Sequence, residues 1–145
     1  MVDSREVTFV FEVCAGQHWS RRIDETKYQQ VFADVSAAIR AVVPHANCLM
    51  NKVPKRWAEK DIYCQLIANE DDNNPYYDMV PRPYAFEVST VTNDSQDILF
   101  FSKLLALMWP HRNTLSKKIA AFMEEVSMGI SGVELRSKYF TDGNI

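Results

Sequence analysis

The chain has 145 residues, 47% hydrophobic and 24% charged, the make-up of one soluble globular domain rather than a disordered or fibrous chain. With 16 Lys and Arg against 19 Asp and Glu the net charge is −3, which gives no basic face for nucleic acid. No apolar run is long enough to span a bilayer, the first residues do not read as a secretory signal, and three cysteines (Cys14, Cys48, Cys64) make a poor disulfide framework. An intracellular, cytoplasmic location is therefore expected.

Residues 6–13 alternate, with Val7, Phe9, Phe11 and Val13 on one side and Thr8, Val10 and Glu12 on the other, which predicts a strand. It runs into a turn at Cys14-Ala15-Gly16-Gln17-His18-Trp19, with Gly16 marking the turn. Tyr28, Val31, Phe32, Val35, Ile39 and Val42 form one helical stripe. Thr26 and Gln29 have capping-box spacing, and Pro44 stops the helix. Residues 46–53 predict a short strand and Asp61–Ala68 a better one, with Ile62, Cys64 and Leu66 on one face and a basic turn, Pro54–Trp57, between them. Residues 69–83 are acidic, carry Pro75, Pro81 and Pro83, and read as a long loop.

Tyr84–Val91 and Asp97–Ser102 predict two strands joined by a hairpin connection. After Pro110, the spacing of Leu115, Ile119, Phe122 and Val126 predicts a second helix, capped by Asn113 or Thr114. Residues from about 127 to 145 read as a peripheral tail of a single domain covering 1–145.

The order β-α-β followed by β-β-α implies a right-handed parallel unit with an antiparallel hairpin added. The predicted fold is an α/β, thioredoxin-like β-α-β-β-α sandwich with an extended middle loop region. In that layout the turn between the first strand and first helix is the reactive place, because a thiolate there is favoured by the helix N-terminus. Cys14 occupies it.

Three segments carry a family resemblance: Val13-Cys14-Ala15-Gly16-Gln17, Tyr84-Ala85-Phe86-Glu87-Val88, and Phe100-Phe101-Ser102-Lys103-Leu104 followed by Trp109-Pro110. With them the chain resembles the selenoprotein W-like (Rdx) family of thioredoxin-like proteins. The resemblance implies a redox motif with a second thiol or selenol three residues after the first. Here that position is Gln17, so fold transfers better than activity. Thioredoxin-like proteins also place a cis proline before the strand that faces the cysteine turn, which makes Pro83 the candidate.

The chemical alternatives are few. Cys14 is either a single reactive thiol, with Gly16, Gln17 and His18 as turn neighbours, or a packed remnant. The histidines and cysteines lack the paired spacing of a zinc site, and the acidic run 70–72 lacks the form of a calcium loop. No metal or cofactor is expected. Trp57, Tyr76, Tyr77 and Trp109 fall in predicted loops or at element ends, where aromatic residues form protein-binding surfaces or cap a sheet. The expected function is a non-enzymatic protein-interaction or structural module, with another protein or a larger assembly as partner and neither nucleic acid nor a membrane span. The alternative is a single-cysteine redox protein acting through Cys14 with glutathione.

Overall fold

The computed structural model describes residues 7–15 and 24–141. Among the described residues the protein is a mixed α/β structure with two sheets and four helices. Strand β1 (Val7–Val13) and helix α1 (Glu25–Val42) lie where the alternating and helical patterns put them. The cap of α1 is Asp24 rather than Thr26. Its carboxylate accepts the Lys27 N–H at 3.2 Å, satisfying one of the free donors of the first turn.

The predicted strand over residues 46–53 divides in two. Strand β2 (Ala46–Met50) ends at Asn51, whose φ of 56° turns the chain, and β3 (Lys52–Pro54) then enters a different sheet. Asparagine tolerates this left-handed backbone better than most residues. A 3₁₀ turn, Lys55–Trp57, follows.

The middle region is more ordered than its composition suggests. Only β4 (Leu66–Ile67) forms within Asp61–Ala68, and Tyr63 is the residue buried there while Cys64 is exposed. The predicted loop 69–83 contains β5 (Tyr76–Met79). Side-chain oxygens explain the reversal. Asp71 accepts the Asn73 N–H and Asn74 accepts the Tyr76 N–H, each at 3.0 Å, so the acidic, Asn-rich run makes tight turns. The small antiparallel sheet has the order β3-β5-β4. Val53, Trp57, Tyr63 and Met79 form a second core with Val10 of β1.

Strands β6 (Phe86–Val91) and β7 (Asp97–Ser102) form the predicted hairpin. The main sheet has the order β2-β1-β6-β7, with β1 and β2 parallel and the other pairs antiparallel. Three helices follow: α2 (Lys103–Ala106), α3 (Arg112–Ser127) and α4 (Gly132–Tyr139). His111 caps α3 in place of Asn113 or Thr114, its Nδ1 accepting the Thr114 N–H at 3.4 Å.

The predicted peripheral tail is corrected by α4, which places Leu135 and Tyr139 in the main core. The Tyr139 and Phe122 rings meet edge to face at 5.5 Å. Gly132 starts this helix against the β6–β7 turn, its N–H donating to Asp94 at 2.8 Å. A side chain there would collide with Asp94, since a Cβ would lie 2.0 Å from its Oδ1. The main core joins Phe9, Phe11, Phe86 and Phe100 to Ile39 of α1 and Ile119 of α3. Burial of each such ring or branched side chain contributes about 2–3 kcal/mol.

Candidate functional site

Cys14 sits at the end of β1, as the sequence implies, but it is fully closed from solvent at 0% exposure. Its N–H donates to the Ala85 carbonyl at 2.9 Å. The turn is fixed from below by Asn51. The Asn51 side chain accepts the Val13 N–H at 2.8 Å and donates to the Val13 and Ala15 carbonyls at 2.9 and 3.3 Å. One amide thus acts as a neighbouring strand would for the last residues of β1.

Burial pushes the Cys14 thiol above its ordinary value, and a backbone hydrogen bond with Tyr84 works in the other direction without cancelling it. A reactive cysteine needs the opposite balance. Tyr28 is likewise pushed up, to about 12, mainly by burial. The Lys103 ammonium donates to the Tyr28 hydroxyl at 3.1 Å and lies 4.9 Å from the centre of the Trp109 ring. Gly16, Gln17 and His18 lie outside the described residues. Cys48 is buried and Cys64 exposed, and all three cysteines are free thiols.

The candidate cis proline is corrected. The peptide bond before Pro83 is trans, the ordinary state of most X-Pro bonds. The chain instead reverses at Tyr84, which takes a φ of 66°.

The four candidate binding aromatics do not share a surface. Trp57 is 7% exposed and stacks on Tyr63 with ring centres 6.4 Å apart. It belongs to the second core, which corrects its assignment to a binding loop. Tyr76 and Tyr77 lie on β5, half-buried. Asn47 donates to the Tyr76 hydroxyl at 3.4 Å, and Lys55 sits over the Tyr77 ring. Trp109 is half-buried at the edge of the main core, against Tyr28 at 4.7 Å and Phe86 at 6.1 Å.

A second cluster lies on the other face of the main sheet. Glu12 and Glu87 stand directly opposite each other on β1 and β6, both buried. Arg82 brackets them. Its Nε and terminal nitrogen donate to the two Glu12 oxygens at 3.0 and 2.9 Å, and its own backbone N–H reaches Glu12 at 2.7 Å. The same guanidinium lies 3.6 Å from Glu87. Ser102 donates to Glu87 Oε1, while Oε2 accepts the Lys103 N–H at 2.9 Å. Burial, with the Glu12 charge beside it, holds Glu87 above the usual carboxylate range despite these donors. The cluster borders a cavity of about 220 Å³, whose walls include Tyr63, Met79 and Leu105.

The sequence reading missed this cluster. Its signal is two carboxylates inside otherwise apolar strands, whose approach depends on the register between β1 and β6. Among the described residues no group of three or more His, Cys, Asp and Glu side chains is arranged to hold a metal ion, and no helix is long and apolar enough to cross a membrane. No protein-family model matches the chain, and neither does any curated protein or solved structure.

Proposed function

We propose that the chain is a non-catalytic protein-interaction or structural module on a thioredoxin-like scaffold of the selenoprotein W type. The sheet order β2-β1-β6-β7, with its parallel pair followed by an antiparallel hairpin, supports that scaffold. The observation that carries the functional reading is the state of Cys14, enclosed and with its thiol pushed up by burial. Gln17 adds to it, because release of a mixed disulfide needs a second thiol.

Alkylation with iodoacetamide at neutral pH, followed by peptide mass mapping, tests this reading. Cys64 is exposed and serves as an internal reference. Cys14 should react at least about tenfold more slowly than Cys64, because only an accessible thiolate attacks the reagent. If Cys14 reacts faster than Cys64 and forms a mixed disulfide with glutathione, the single-cysteine redox function replaces this proposal.

A further inference from the structure

We propose that α2 and the turn that follows it form a docking surface for an anionic lipid bilayer. This goes beyond the module reading above and does not depend on Cys14.

Three large apolar side chains within four residues are exposed: Leu107 at 86%, Met108 at 57% and Leu105 at 49%, the last also flanking the cavity beside Glu87. Leu107 takes a φ of 58° at the C-cap of α2. Glycine or asparagine would serve that backbone at lower energy. A leucine there neither eases the turn nor packs against the protein, yet it presents hydrocarbon outward. Tyr84 is also exposed, and Lys103 links it to the patch by donating to its carbonyl at 3.3 Å. Trp109 borders the tip between two cations, with Lys27 at 5.6 Å and Lys103 at 4.9 Å from its ring centre.

Charge selects the occupant. Between Ile98 and Met123 the sequence holds Lys103, Arg112, Lys117 and Lys118 and none of the chain's 19 acidic residues. Lys118 is turned inward, donating to the Phe100 carbonyl at 2.8 Å. Arg112 and Lys117 are exposed. The acidic residues beside it are Asp24 and Glu25 at the α1 N-terminus, with Asp24 engaged as the cap, and on the Leu105 side the exposed Asp61 and the buried Glu12 and Glu87, which Arg82 partners. In a protein of net charge −3, the segment itself carries only cations, and its exposed Arg112 and Lys117 attract anions.

Shape distinguishes a bilayer from a protein. A groove in a protein partner reads a stripe of apolar residues spaced by three or four along a helix. Here α2 has only four residues, and its apolar tips continue past its end around a tight turn. A projecting tip with tryptophan at its base and cations around it fits a bilayer interface, where hydrocarbon needs no complementary shape.

Sedimentation with phosphatidylcholine vesicles containing about one-third phosphatidylserine, against phosphatidylcholine alone, tests the proposal. The intact chain should bind the anionic vesicles and not the neutral ones, with affinity falling as salt rises. Leu107→Glu combined with Met108→Glu should weaken binding at least about tenfold, and Arg112→Glu at least about fivefold. Both variants change exposed side chains, so their melting temperatures should match the parent. The proposal is overturned by absence of anionic-vesicle binding, by equal binding to neutral vesicles, or by variants that are folded and bind unchanged. It is equally overturned if a captured protein covers this patch while vesicles do not bind. None of these outcomes alters the alkylation result at Cys14.

Discussion

The two faces of the main sheet are built from the same strands and are closed by different means. On the helical side, Phe9, Phe11, Phe86, Val88 and Phe100 meet α1, α3 and α4, and shape does the work. On the other side, alternation brings up Val10, Glu12, Glu87 and Ser89, and the small sheet and its turn cover them. Two carboxylates opposite each other on neighbouring strands repel. That face is therefore stable only because Arg82, Ser102 and two helix N–H groups are aimed at them. Tyr63 completes the pattern, its hydroxyl 2.6 Å from that of Ser89. The segment from Lys52 to Pro83 is thus the cover of a half-polar face, delivering Trp57, Tyr63 and Arg82 to it. An apolar face asks for volume, whereas a half-polar one asks for partners at fixed places.

The comparison can be broken most forcefully on the apolar side. Phe86 is wholly buried between Phe11 and Trp109. Phe86→Ala should cost about 3–5 kcal/mol in a urea titration, from lost transfer energy and the cavity left behind. A loss below about 1 kcal/mol would mean that this face tolerates loose packing after all.

On the polar side, Arg82→Ala should cost about 2 kcal/mol at neutral pH, since it strands two buried carboxylates. The figure is smaller because the Arg82 side chain is itself 42% exposed and water takes over part of its role. Arg82→Lys should recover only part of the loss, because a point charge cannot make the two-pronged bond to Glu12. Full recovery would show that charge alone, and not geometry, holds this face.

The smallest effect is a change in pH dependence. Glu87 has a raised folded-state value, so its folded form holds a proton more tightly than the unfolded chain does. Its contribution to stability is complete below the ordinary glutamate value of about 4.3 and is lost as pH rises through the folded value. Glu87→Gln removes that loss. The difference between variant and parent melting temperatures should therefore shift in favour of the variant as pH rises from about 4 to 7. A flat difference across that window would place Glu87 in an environment as polar as water.

The sequence revealed the apolar face far better than the polar one. Strands β1, β6 and β7 and helices α1 and α3 repeat their apolar residues at the periods of strand and helix, and a local window detects them. Strand β5, with four residues, is too short to show a period, and helix α4 turns too few apolar residues inward. The Asx turns that bring the chain into β5 have the composition of a loop, and α4 has only Leu135 and Tyr139 facing the core. Trp57 reads as a surface aromatic because it follows Pro54, Lys55 and Arg56, while its burial is set by Tyr63 and Met79 further along the chain. The location of Cys14 at the end of β1 was legible, but its enclosure was not. The Glu12–Arg82–Glu87 cluster joins residues as much as 75 positions apart and rests on strand register, which no local pattern encodes.

Asn51 has the widest consequence for a residue of its size. Its backbone ties both sheets, with its N–H donating to Phe11 of β1 and its carbonyl accepting the Met79 N–H of β5, each at 2.8 Å. Its side chain holds the Cys14 turn. Each task alone admits substitutes: glycine for the left-handed backbone, aspartate as an acceptor, glutamine as an amide. Only asparagine joins that backbone to an amide of the right reach, since aspartate lacks the donor, glycine lacks the side chain and glutamine is longer by a methylene. The position is a point where three requirements intersect. The sequence space open to the protein narrows there to a single letter, while the neighbouring Lys52, exposed on β3, is held to no such set of requirements.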